Sequence, residues 1–66
     1  MEFKFRLKEL RLEKGVSQIE IAKIVNMSKM AISHWESGHS EPSIEQLKLL
    51  ARFFDVTIDY LTGFVE

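Results

Sequence analysis

The chain has 66 residues, a net charge of -1 and no cysteine. A chain this short buries only about 60% of its unfolded surface and sustains one core, which excludes a second domain; the missing cysteines exclude a disulfide framework and a thiolate metal site. No apolar run approaches the roughly 20 residues of a membrane span, and MEFKFRLKEL alternates charged with apolar residues, unlike a secretory signal, so a soluble, cytoplasmic protein is expected.

The elements follow in order. Phe3, Leu7 and Leu10 recur at helical spacing and mark one face of a first helix over about 2–14, ended by Gly15, a residue suited to a left-handed cap. Ser17 with Glu20 forms a capping box that opens a second helix over about 18–25, with Ile21, Ala22, Ile24 and Val25 inward. Asn26 tolerates positive φ, so a tight turn through Asn26 and Met27 is expected. Ser28 then caps a third helix that Gly38 ends.

After the loop GHSEP, Ser43 with Gln46 repeats the capping box, and Ile44, Leu47, Leu50, Ala51 and Phe54 give the fourth helix an apolar stripe. Asp55 and Val56 make a turn. Thr57 caps a short last helix from Ile58 to about Leu61, and Gly63 breaks it. No segment shows sustained period-two alternation. The expected fold is all-α: one compact five-helix domain over residues 1–66, with helices two and three forming a helix-turn-helix unit.

Charge is uneven along this frame. Residues 1–40 hold seven Lys/Arg against five Asp/Glu, and residues 41–66 hold two against five. The total is not that of a basic nucleic-acid binder, but the distribution gives weak support for a basic amino-terminal surface.

The third helix carries the functional signal. On a wheel of about 100° per residue, Ala31, Ile32 and Trp35 share the buried arc, and Met30, Ser33, His34 and Ser37 lie opposite, with Lys29 and Glu36 at one boundary. A solvated face would usually carry Glu and Lys. This one is nearly uncharged and can both donate and accept hydrogen bonds, properties that suit reading base edges: Ser and His bond several bases, Met packs on a thymine methyl, and Lys29 can reach guanine or a phosphate. Ser and His are also common on ordinary helix surfaces. Two short helices joined by a tight turn, the second presenting such a face, describe a DNA-reading unit more specifically than the face alone.

Leu-x-x-Leu-Arg (7–11), Gly15 to Gln18, Ile21-Ala22, Ile32 to Glu36 with Gly38, Pro42-Ser43 and Asp59-Tyr60-Leu61 together resemble the Xre-type helix-turn-helix domains, the family of the phage Cro and repressor DNA-binding domains. The resemblance covers about residues 7–61. It implies that Gln18 bonds a DNA phosphate and helps to orient a recognition side chain. Lys29, Met30, Ser33 and His34 would face bases or adjacent backbone, and Ser17, Ser28, Ser37 and Ser40 are further candidates for phosphate contact. Arg11 and Glu36 match a salt bridge between the first and third helices, a structural pair whose separation would strand a desolvated charge; Arg11 on a phosphate is the alternative. Trp35 is read as core, with its indole N–H near the surface.

The loop departs from the family pattern. Many relatives place Lys or Arg between the helix-ending glycine and the proline, whereas this chain has His39, Ser40 and Glu41. Weak non-specific binding and a small salt slope per subunit are the expectation.

One recognition helix cannot select a single genomic site, so a homodimer on a double-stranded inverted-repeat operator is expected. Related domains pair near the last helix, which makes Ile58, Tyr60, Phe64 and Val65 the contact candidates; Phe64 and Val65 could equally fold back on the core. Phe5, Leu12 and Ile19 lie off the predicted core arcs and could form a second protein-contact patch.

An enzyme is not expected. The chain has no glycine-rich phosphate loop, His34 and His39 lack further ligands at finger-like spacing, and Ser28, Ser33 and His34 do not define a nucleophile, base and acid. No cofactor, metal or small-molecule ligand and no membrane partner is called for. The reading is a prokaryotic or phage-encoded transcriptional regulator, a repressor by first expectation, acting on the nucleoid. It could be complete or the DNA-binding portion of a longer chain. The competing reading is a protein-interaction module of the same fold with little DNA affinity.

Overall fold

Four of the five helices begin at a Ser or Thr whose side-chain oxygen accepts a backbone N–H three residues on, which satisfies one of the donors that a helix start leaves free. The computed structural model describes residues 3–63. Its helices are α1 (Phe3–Lys14), α2 (Gln18–Val25), α3 (Lys29–Ser37), α4 (Ile44–Phe54) and α5 (Ile58–Thr62), with no strand among the described residues. Both capping boxes form, Ser17 with Glu20 and Ser43 with Gln46.

The helices end as abruptly as they begin. Asn26 adopts φ 58° and its N–H returns to the carbonyls of Ala22 and Lys23; Asp55 adopts φ 58° and returns to Ala51 and Arg52. The links that follow match: Asn26-Met27-Ser28 joins α2 to α3 and Asp55-Val56-Thr57 joins α4 to α5, each a left-handed cap, an apolar residue and an extended hydroxyl cap. The turn at Asn26 was expected from its tolerance of positive φ. The left-handed state of Asp55 is less obvious, yet Asp shares that tolerance through its short hydrogen-bonding side chain.

Each helix contributes one fully buried aliphatic residue: Leu7, Ile21, Ile32, Leu50 and Leu61. Phe3, Ala22, Val25, Trp35 and Ala51 complete the buried set, and Leu10, Val16, Leu47, Phe53, Phe54, Val56 and Ile58 pack partly buried around it. Helix α3 packs against α1 and α2, while α5 closes the other side against α1 and α4.

Two residues expected inside lie outside. Ile24 is 37% exposed, because it falls about 60° beyond the arc that Ile21, Ala22 and Val25 share on the helix wheel. Ile44 is 63% exposed although its angle matches the stripe. It is the first residue of α4, and side chains there lean back toward the helix start, where only the polar 39–43 loop precedes it.

The polar counterpart of the apolar core is one carboxylate. Glu36 Oε2 accepts Arg11 Nε at 2.6 Å and Oε1 accepts Nη2 at 3.1 Å, a paired geometry, with side-chain exposures of only 12% for Arg11 and 6% for Glu36. The remaining Arg11 Nη1 donates to the Val16 carbonyl at 3.3 Å, so the loop between α1 and α2 is tied in as well. No buried side-chain nitrogen or oxygen among the described residues lacks a partner.

Replacing Glu36 by Ala leaves the Arg11 guanidinium desolvated and unpaired, and should lower unfolding free energy by about 3 kcal/mol. Urea denaturation reads this directly, and an unchanged midpoint would mean the pair holds nothing together. At Asn26 the backbone sets the cost: Asn26→Val forces a β-branched residue into left-handed space and should destabilise by about 1–2 kcal/mol, whereas Asn26→Gly should be tolerated. Equal midpoints for the two variants would contradict the conformational argument.

Candidate nucleic-acid interface

The outward face of α3 is set by what α3 buries. Ile32 and Trp35 are sunk in the core and Glu36 is clamped to α1, which turns Met30, Ser33 and Ser37 to solvent. Met30 is 66% exposed, so its apolar side chain is open to a partner. His34 is half-buried at the edge of this face, its ring 5.0 Å from that of His39 and tilted by 42°.

Lys29 begins α3, and no acid lies in that first turn. Glu20, Glu45 and Asp59 occupy the first turns of α2, α4 and α5. Negative charge is what the positive end of a helix dipole favours, so a lysine there costs stability and leaves the end of α3 attractive to an anion. Ser28 and Ser17 cap their helices through an oxygen lone pair, at 3.2 Å from the Ala31 N–H and 3.1 Å from the Glu20 N–H. Their hydroxyl protons remain to be donated outward.

Gln18 and Ser37 are more committed than the sequence suggests. Gln18 Nε2 donates to Glu36 Oε1 at 2.9 Å, so the carboxylate that holds α1 also holds the first side chain of α2. That leaves the amide one N–H and its oxygen for another partner. The Ser37 hydroxyl donates to the His34 carbonyl at 3.1 Å, so it would have to rotate away before giving its proton to a phosphate. Ser40 is exposed and its backbone N–H leans on the same carbonyl at 3.4 Å, beside His39 N–H at 2.8 Å.

At the far end of the fold, Ile58 packs partly buried against the core and Tyr60 lies half-buried with the Arg6 guanidinium 4.1 Å from its ring centroid. Phe64 and Val65 lie outside the described residues. Phe5, Leu12 and Ile19 are all more than half exposed, as their wheel positions imply. The described residues contain no cluster of three or more metal-ligating side chains.

One residue beside this surface escaped sequence reasoning. Lys4 reaches from α1 across Gly38 at the end of α3. Thirty-four positions separate the two residues, and no periodicity within α1 signals the approach.

Comparisons with known proteins agree with this geometry. The chain is 46% identical over 61 residues to the transcriptional activator BcrR of Enterococcus faecalis, an alignment that covers 92% of this chain and 30% of BcrR. Its fold matches a transcriptional regulator from Listeria innocua with a TM-score of 0.92 at 34% identity, covering 97% of this chain and 60% of that one. It matches the P22 c2 repressor in complex with a synthetic operator with a TM-score of 0.84 at 32% identity, covering 89% of each. The chain therefore spans less than two thirds of BcrR and of the Listeria regulator. Residues 7–61 match the family model described as Helix-turn-helix, and with the paired short helices, the capped turn between them and the five-helix core now in place, the chain belongs to the Xre-type helix-turn-helix family.

Proposed function

We propose that this domain is the DNA-reading part of a transcriptional regulator. It binds an inverted-repeat operator as a homodimer, with α3 of each protomer in the major groove of half-sites about one helical turn apart. The observation that carries the reading is the face of α3: exposed Met30 and Ser33, half-buried His34, a lysine where a helix start favours an acid, and a three-helix polar clamp that fixes its orientation.

In this reading Lys29, Met30, Ser33 and His34 meet base edges. Gln18, Ser17, Ser28 and Ser40 meet phosphates, with Ser37 joining only if its internal hydrogen bond yields. Arg11 and Glu36 act by positioning. Pairing runs through α5, where Ile58 and Tyr60 are already partly engaged within the protomer. The likeness to a repressor seen with its operator supports DNA as the partner. The likeness to BcrR leaves activation as open a sign of control as repression, since either follows from where the operator lies relative to polymerase. The setting is the bacterial or phage-infected cytoplasm, on the nucleoid; no helix among the described residues is long and apolar enough to cross a membrane.

Exposed Phe5 at 65% and Leu12 at 60% favour a second reading, a docking module for another protein. Selection of a random duplex pool at about 0.1 M salt, followed by sequencing, decides between them. An enriched inverted repeat is the expected result and gives the half-site spacing. A folded protein that enriches nothing would turn the search toward protein partners.

On the selected operator, Met30→Ala and His34→Ala should each relax preference at a particular base position by about 1–3 kcal/mol, whereas Gln18→Ala should weaken all sequences alike. Preference profiles identical to the parent's in both α3 variants would remove α3 as the reader.

A further inference from the structure

The loop that leads out of α3 carries no Lys or Arg: between Gly38 and Pro42 it reads His39, Ser40, Glu41. Glu41 repels a phosphate. A cation nevertheless reaches this corner from another element. Lys4, in the first turn of α1, lies half-buried across Gly38. A Cβ added to Gly38 would fall 2.9 Å from Lys4 Cδ, 3.2 Å from Nζ and 3.6 Å from Cε, so the lysine stem fills space that a glycine leaves open. Gly38 also adopts φ 81°, which other residues rarely do, so the backbone keeps this position free of a side chain and the space stays open to the lysine.

Lys4, Gly38, Ser40 and Glu41 line one open groove together with Phe3 and Trp35. The ammonium rests 5.1 Å from the Phe5 ring centroid, and Arg11 with Glu36 is the ion pair formed among the described residues, so no described carboxylate neutralises Lys4. Partial negative charge at the end of α3 attracts it. Glu41 lines the same groove and offsets part of this charge without pairing with it, so the ammonium keeps its donors for an outside anion.

We propose that Lys4 is a phosphate-binding residue of the DNA interface, delivering from α1 the cation that the 39–41 loop lacks. The proposal rests on the DNA-binding reading above. Lys29 opens α3 and Lys4 lies over its end, so the reading helix has a cation at both ends although its own face is nearly uncharged. Lys4 then adds affinity without adding base preference, because a phosphate contact carries no sequence information.

The test is the salt dependence of binding to a mixed-sequence duplex about three helical turns long (~30 base pairs), followed by fluorescence anisotropy. Lys4→Gln should reduce the slope of log K against log salt by about 0.9 per bound protomer, and Lys4→Arg should keep it. Glu41→Lys added to Lys4→Gln should restore the slope by placing the cation back in the loop. Urea midpoints of the same variants separate this role from simple capping of α3. If Lys4→Gln binds with the parent's slope, Lys4 holds no phosphate, and a lowered midpoint alone would make it a helix-end contact only. A parent protein that binds no duplex at the lowest salt would instead overturn the DNA reading, and this proposal with it.

Discussion

A single carboxylate sets how α3 sits against its neighbours. Glu36 stands on α3, takes two hydrogen bonds from Arg11 on α1 and one from Gln18 at the start of α2, and is almost fully buried. Apolar packing by itself specifies depth better than rotation, since Ile32 and Trp35 could roll against their neighbours with modest loss of contact. Charged hydrogen bonds are directional, and a desolvated carboxylate with three donors has few acceptable alternatives. Rotation of α3 about its axis decides which of its side chains meet a partner, so this clamp governs the surface proposed to read DNA.

The rest of the fold is built from short, strongly punctuated helices. None exceeds 12 residues, and helices of that length are marginal in water without help. Help comes at the ends and in the middle. Hydroxyl caps satisfy four of the five starts, left-handed residues close the ends, and each helix gives one aliphatic side chain to the common core. The link between α2 and α3 and the link between α4 and α5 use the same three-residue solution with different side chains. The geometry therefore follows from roles, a residue tolerant of positive φ, an apolar residue and a hydroxyl, rather than from particular amino acids.

Much of this is legible in the sequence because it is local. Capping boxes span three residues, the turn at Asn26 depends on one residue's tolerance of positive φ, and the helix bounds follow to within a residue or so. Ile24 lies outside because its angle falls beyond the core arc, and Ile44 because a wheel gives direction and says nothing about whether anything is there to pack against. Ser37 could not be seen to spend its proton on the His34 carbonyl, and Lys4 could not be placed over Gly38. The first is a choice of partner that a hydroxyl makes within its own helical turn, and the second depends on where distant backbone segments meet. Caps and turns are legible because a fixed spacing dictates them; the partner of a freely rotating hydroxyl and a contact across 34 positions are not.

Leu61 gives the fully buried core a timetable. It sits in the last helix and completes a set begun by Leu7, so during synthesis the core cannot close until α5 has been made. Helices α2 and α3 are finished well before then, capped and adjacent, yet they lack the lid that α5 lays over α1 and α4. Closure should follow quickly once residue 61 is free, on the microsecond to millisecond scale of small helical domains. At about 5–20 residues per second, translation rather than folding then sets when the domain becomes competent.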